Sequence, residues 1–163
     1  MTYSYNENTG RYRIENAEIR YPNFEGLESQ FNQAGKRNFK VVVNEELAAE
    51  LQEQGIRISE LRRKDDTEPQ RYTAKVGVYA SSEMYLVSGR VKHPLSLENC
   101  EMIDREFRGG YVRNGEVDVK FHVSVNSRLN PPTPYLRLDA IYLPVDKDEQ
   151  AEKYEDYELA TRV

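Results

Sequence analysis

The chain has no tryptophan, one cysteine and two histidines among its 163 residues, and each scarcity removes a class of chemistry. A single cysteine, Cys100, excludes an internal disulfide and any cysteine-cluster zinc site. His93 and His122 lie far apart and match no metal-ligand spacing, so no metal and no cofactor are expected. There is no apolar run of membrane-spanning length and no signal-peptide pattern, so no membrane association and a cytoplasmic location are expected. Phosphate-loop and nucleophile-elbow motifs are also missing, and no catalytic residues are assigned. The acidic pair Asp65-Asp66 sits in a polar loop beside Arg62-Arg63-Lys64, where solvation or local pairing accounts for it without catalysis. The chain does not read as an enzyme.

Charge is plentiful but unevenly placed. The net charge is −5, yet residues 146–163 hold seven of the 28 acids and three of the 23 bases, leaving 20 bases against 21 acids in residues 1–145. The body is therefore near neutral, and overall acidity says little about any binding surface. The length suits one well-filled domain. Residues 1–10, polar and without an aliphatic after Met1, read as a loose leader, residues 11–145 as the domain, and residues 146–163 as an acidic C-terminal segment. That segment fits an acidic tail, and through Ala151, Tyr154, Tyr157 and Leu159 it equally fits a short docked helix.

Residues 31–56, FNQAGKRNFKVVVNEELAAELQEQGI, carry a basic turn, a strand, a helix start and a helix stop in succession. Asn38 to Val43 is β-branched and aromatic, which predicts a strand with Phe39, Val41 and Val43 in the core and Asn38, Lys40 and Val42 facing away. Asn44 then supplies an N-cap oxygen, Glu45 and Glu46 meet the positive end of the helix dipole, and Leu47, Ala48 and Leu51 mark the buried side. Gly55 stops the helix. Ahead of the strand, Gly35-Lys36-Arg37 bends the chain with two cations side by side. Either they contact a phosphate or they solvate a surface turn.

Further strands follow from alternation. Ile14, Ala17, Ile19 and Tyr21 mark a first strand with a bulge near Asn16, ended by Pro22. From Arg71 to Tyr79, the residues Tyr72, Ala74, Val76 and Val78 share one face and Arg71, Thr73, Lys75, Gly77 and Tyr79 the other. The second face offers cations, an aromatic and an unobstructed glycine, which suits a single strand lying across it and equally suits plain solvent exposure. Met84 to Val91 would return antiparallel to it. Residues 94–100 predict a short helical or irregular crossover. Asn114-Gly115 is a turn signal, and Val117, Val119, Phe121, Val123 and Val125 alternate without fault ahead of a stiff proline-rich loop and a closing strand at Tyr135 to Leu143. The sum is a mainly β chain of six or seven strands with one inserted α-helix. The architecture expected is an OB-like, mostly antiparallel barrel, since closure would protect the strand edges.

Several of these pieces resemble a family of small proteins encoded in phage and prophage replication or recombination regions, the single-stranded DNA-binding proteins with an OB fold. They are Ile19-Arg20-Tyr21-Pro22-Asn23-Phe24-Glu25-Gly26, Phe31-Asn32 with Gly35-Lys36-Arg37-Asn38-Phe39, the helix closed by Gly55, the valine-rich strand from Val117, and Tyr135-Leu136-Arg137 leading to Ile141-Tyr142-Leu143. The resemblance spans most of residues 12–146. Relatives often carry a tryptophan after the helix glycine, whereas this chain has Ile56 there. The resemblance implies sequence-tolerant binding of single-stranded DNA in phage replication or recombination, in the cytoplasm of the host, with cations neutralising phosphates and aromatics stacking on bases. Candidate residues are Lys36, Arg37, Lys40, Arg71, Lys75, Arg90 and Lys92 for phosphate, and Tyr79 and Tyr85 for stacking; Phe39 is weaker because its alternation places it in the core. By the same resemblance, the acidic segment implies competition for the basic groove and recruitment of replication or recombination proteins, and a homo-oligomer is compatible. The other class that fits is a protein-interaction module or inhibitor built on the same barrel, favoured by the near-neutral body.

Overall fold

Residues 1–146 are described by a computed structural model, and they form ten strands and two helices. These are β1 (Thr2–Asn6), β2 (Arg11–Ala17), β3 (Ile19–Asn23), β4 (Arg37–Val43), α1 (Glu45–Glu53), β5 (Ile58–Glu60), β6 (Tyr72–Val78), β7 (Glu83–Ser88), β8 (Val91–Leu95), α2 (Glu101–Arg108), β9 (Val117–Asn126) and β10 (Thr133–Pro144). One mostly antiparallel sheet runs in the order β1-β2-β9-β10-β6-β4-β3, with β5 added to β6 and the β7–β8 hairpin added to β10.

The sheet does not close, which corrects the expected barrel. No ladder joins β3 back to β2. Instead the chain itself turns the corner between them: Asn16 adopts φ 56° and the β2–β9 register shifts between Ile14 and Ala17, so β2 pairs with β9 while β3 pairs with β4. A covalent bend stands where a barrel would have closing hydrogen bonds.

The interior follows the alternation. Phe39, Val41, Val43, Val76, Val119, Phe121 and Ile141 are fully buried, and the Phe24 and Phe39 rings stack at 5.3 Å. Against them lies α1, where Asn44 Oδ1 accepts from the Leu47 amide at 2.9 Å and Leu47 and Leu51 are fully buried. Burial of each leucine contributes about 1.5–3 kcal/mol. Gly55 takes φ +85°, the left-handed conformation that ends the helix.

Four expectations are corrected. Thr2–Asn6, assigned to a loose leader, pair with β2 as β1; the Tyr3 hydroxyl reaches Glu50 at 3.1 Å and the Tyr5 ring lies 4.6 Å from Tyr12. Polar, aromatic residues can dock through ring contacts and edge pairing without an aliphatic face. Next, β7 does not return against β6. It runs parallel to β10, because the Ser82 hydroxyl donates to the Leu138 carbonyl at 2.7 Å and carries the chain onto the second half of that strand. Thr73 and Val42, paired across β6 and β4 and both expected on the outer face, are buried at 3% and 7% exposure. A second helix, α2, follows the crossover, and its buried Asp104 accepts from the Phe24 and Glu25 amides at 3.0 and 2.8 Å. Burial raises the pKa of this carboxyl despite those two bonds.

The acidic segment falls outside the described residues apart from Asp146, whose carboxylate accepts from Arg113 Nε at 2.7 Å. Among the described residues no helix is long and apolar enough to cross a membrane.

Candidate nucleic-acid interface

The pairing of β4 with β6 sets Lys40 opposite Lys75, Asn38 opposite Gly77 and Phe39 opposite Val76. Since paired residues share a face, Phe39 and Val76 go to the core and both lysines go outward. On the other side of β4, Arg20 stands opposite Lys40, so three cations cross three adjacent strands in one row. Arg20 is held by Glu18 at 2.6 Å, and Lys40 Nζ lies 5.7 Å from the centre of the exposed Tyr21 ring. Like charges directly opposite each other disfavour the sheet, and a polyanion along the row would relieve the repulsion.

Beside this row opens a groove of about 860 Å³. Lys75 and Gly77 line it from β6, Tyr79 from the residue after that strand, and Tyr135 from β10. One wall is the turn carrying Gly35, Lys36 and Arg37, and the other is the tip of the β9–β10 hairpin with Val125, Arg128 and Leu129. Arg57 adds a fifth cation to Lys36, Arg37, Lys75 and Arg128, and among the described residues no Asp or Glu lines the groove. In a chain of net charge −5, that local excess of positive charge is a marked departure from the average.

Both walls are built locally. In the first, the Asn32 amide group donates to the carbonyls of Leu27, Gln33 and Lys36 within 3.0 Å and accepts from Asn38 at 2.8 Å, which pins the loop to β4. The adjacent Phe31 is 85% exposed, an aromatic on a fixed turn. In the second, β9 outruns the core, so Val123 is only partly buried and Val125 is exposed although both continue the perfect alternation.

Tyr79 is held on three sides. Its ring lies so close over Gly77 that a Cβ there would sit 2.8 Å from Cε2, the Arg137 guanidinium carbon is 4.3 Å from its centre, and Tyr135 meets it at 6.0 Å with the rings tilted by 53°. Burial raises the Tyr79 pKa, whereas a hydrogen bond with the Ser124 side chain lowers that of Tyr135. The open space expected above Gly77 is therefore filled by the chain's own tyrosine, set at a fixed angle beside a cation.

Of the nine candidates, Lys36, Arg37, Lys75 and Tyr79 come together in the groove and Lys40 stands next to it in the cation row. Arg37 is half-buried, and its guanidinium donates to the Leu97 carbonyl at 3.2 Å, so it braces the wall as well as lining it. Arg71 lies apart, paired with Glu18 at 3.3 Å beyond the opposite end of β6. Tyr85 and Lys92 belong to the β7–β8 hairpin, as Arg90 does to its turn, and these three do not line the groove. Sequence reasoning did not name Arg57, Arg128 and Tyr135, which line the groove, nor Arg137, which lies against Tyr79, nor the exposed Phe31, as candidates. A usable signal existed for Tyr135 and Arg137, which alternate with the buried Leu136 and Leu138. None existed for Arg57 and Arg128, which reach the groove only through the pairing of distant strands.

Among the described residues, no group of three or more His, Cys, Asp and Glu stands together to hold a metal ion.

No curated protein matches the chain. Among solved structures, the single-stranded DNA-binding protein of bacteriophage Enc34 in complex with ssDNA has a similar fold, with a TM-score of 0.53 at 9% identity over 86% of this chain and 89% of that one. A C-terminal truncation of the Enc34 protein gives 0.52 at 9% identity over 86% and 88% of the two chains. At the level of sequence, the family described as "Putative phage ssDNA-binding domain" matches residues 1–92, a stretch that runs from β1 into β8 and contains Lys36, Lys40, Lys75 and Tyr79. That match spans more than half of the chain, and the chain belongs to this phage ssDNA-binding domain family.

Proposed function

We propose that the groove between the residue 35–37 turn and the β9–β10 hairpin binds single-stranded DNA without sequence preference, in phage DNA replication or recombination in the host cytoplasm. The observation that carries this reading is a groove lined, among the described residues, by five cations and no carboxylate in an acidic protein. Lys36, Lys75, Arg57 and Arg128 neutralise phosphates, with Lys40 extending the track along the sheet. Tyr79 and Tyr135 offer ring edges and faces to the bases, and Arg137 behind Tyr79 fixes its angle. The protein acts by binding, with no bond made or broken. The acidic residues after Val145 compete with DNA for the groove and recruit replication or recombination proteins.

The test is fluorescence anisotropy of a labelled mixed-sequence single-stranded oligonucleotide, titrated with the full chain at several salt concentrations. A Lys36→Ala/Lys75→Ala variant is expected to flatten the log–log salt dependence by about 1.4, which is ~0.7 for each of two phosphate contacts. An unchanged slope removes this groove from the binding path. Absence of salt-dependent binding by the unaltered protein would instead favour the protein-interaction class, with a partner to be sought by pull-down.

A further inference from the structure

Two of the candidates that miss the groove, Tyr85 and Lys92, belong to a second cluster on the same outer face of the sheet. Along β10, Leu136, Leu138, Ile141 and Leu143 are buried; the register shift between Leu138 and Ala140 resets the alternation, so Tyr135, Arg137 and Tyr142 all face outward. Parallel pairing with β7 places Tyr85 opposite Tyr142, and their rings stack with centres 4.9 Å apart and planes 8° from parallel. Lys92 from β8 and Lys120 from β9 bring their ammonium groups to 5.1 and 6.0 Å from the centre of the same Tyr142 ring. Two carboxylates stand nearby. Asp118 accepts from Arg13 Nε at 3.1 Å and Nη2 at 2.6 Å, which accounts for its charge, and Glu83 lies at the start of β7.

We infer that Tyr85, Tyr142, Lys92 and Lys120 form a second subsite for the same single strand, a phosphodiester held by the two ammonium groups beside a base on the tyrosine pair. This rests on the function proposed above. From Tyr135 to Tyr142 is seven steps of β-strand, roughly 20 Å allowing for the bulge. The face between is not blank: Arg137, His122 and Arg11 are paired across β10, β9 and β2, and Asp139 binds His122 at 2.9 Å and meets Arg11 at 3.6 Å. A strand leaving the groove past Tyr79 therefore passes the Arg137 guanidinium and this polar row before it reaches the second cluster. Two lysines from different strands converging on one ring give the cluster the shape of an anion site, and a stacked tyrosine pair gives it an apolar floor.

The inference requires affinity to depend on oligonucleotide length. The experiment uses the full chain with labelled oligothymidylates of about 5 and about 15 nucleotides, the two ends of the ~4–16 nucleotide range for single-strand sites. The unaltered protein is expected to bind the long probe more tightly and with a steeper salt slope. A Lys92→Gln/Lys120→Gln variant should reduce the slope on the long probe by about 0.7, one phosphate contact, and leave the short probe unchanged. Tyr85→Leu, which keeps both cations, should weaken the long probe alone. Equal slopes for the two proteins on the long probe, or equal weakening on both probes, overturns the second subsite while leaving the groove intact. Absence of binding at either length overturns both.

Discussion

Gly77→Ala separates the stability of the sheet from its use. The substitution adds one carbon beneath the Tyr79 ring, 2.8 Å from Cε2 and 2.9 Å from the hydroxyl oxygen, well inside the ~3.5–4.0 Å at which such atoms rest. Backbone strain does not enter, since Gly77 lies in β6 without the positive φ that would exclude alanine. The ring must move off the strand, which breaks its contact with Arg137 and its tilt against Tyr135. Losing the partly exposed cation–π contact costs about 0.5–1 kcal/mol. Replacing glycine at a compatible position returns about 0.4–1 kcal/mol by restricting the unfolded chain. The two nearly cancel, so the thermal midpoint should hardly change. Binding has no such compensation: misplacing one stacking ring costs about 1–3 kcal/mol, or roughly 5- to 150-fold in affinity. The assays are anisotropy with a labelled single strand at fixed salt and thermal unfolding of the same preparation, with Tyr79→Leu as the reference. Wild-type affinity in Gly77→Ala would refute the stacking role of Tyr79. So would a loss in Gly77→Ala that Tyr79→Leu does not reproduce.

Three further outcomes are expected. Arg37→Ala should lower stability by about 1–2 kcal/mol in denaturant titration through the lost bond to the Leu97 carbonyl, and should change the salt slope by much less than the ~0.7 of a full phosphate contact. Asp104→Asn should cost about 1–3 kcal/mol, because an amide oxygen can accept from only one side as well as the carboxylate accepts from both the Phe24 and Glu25 amides. Burial raises the folded-state pKa of Asp104 above its unfolded value, so the native state holds this proton longer; stability from this group is lost as pH rises from about 3.9 through the folded pKa. Denaturant midpoints across that interval should show the component in the wild type and not in Asp104→Asn. Phe31→Ser, at a side chain 85% exposed, should leave the thermal midpoint unchanged and weaken single-strand binding.

What could be read from the sequence was what near neighbours decide. Side-chain alternation over two residues placed Phe39, Val41 and Val43 in the core and Lys40 and Lys75 outside it. The reach of one helical turn identified the Asn44 cap and the buried Leu47, Ala48 and Leu51, and a single left-handed residue set the stop at Gly55.

Tertiary structure decided what depends on partners distant in sequence. Local alternation in Val117 to Val125 continues into residues that stand clear of the core, and only the length of β9 against its neighbours makes that end a groove wall. The filling of the space over Gly77 depends on Arg137 and Tyr135 from β10, and the removal of Tyr85 and Lys92 from the groove depends on β7 pairing with that same strand rather than with β6. Closure failed for a related reason: β2 and β3 are joined through the chain at Asn16, and no periodic pattern distinguishes a corner from a ladder. Sequence by itself determined which faces are apolar and which are charged, because period and capping act over a few residues. Which of those charged faces share one surface was set by strand pairing across long stretches of chain, where the hydrogen bonds carry no side-chain signature.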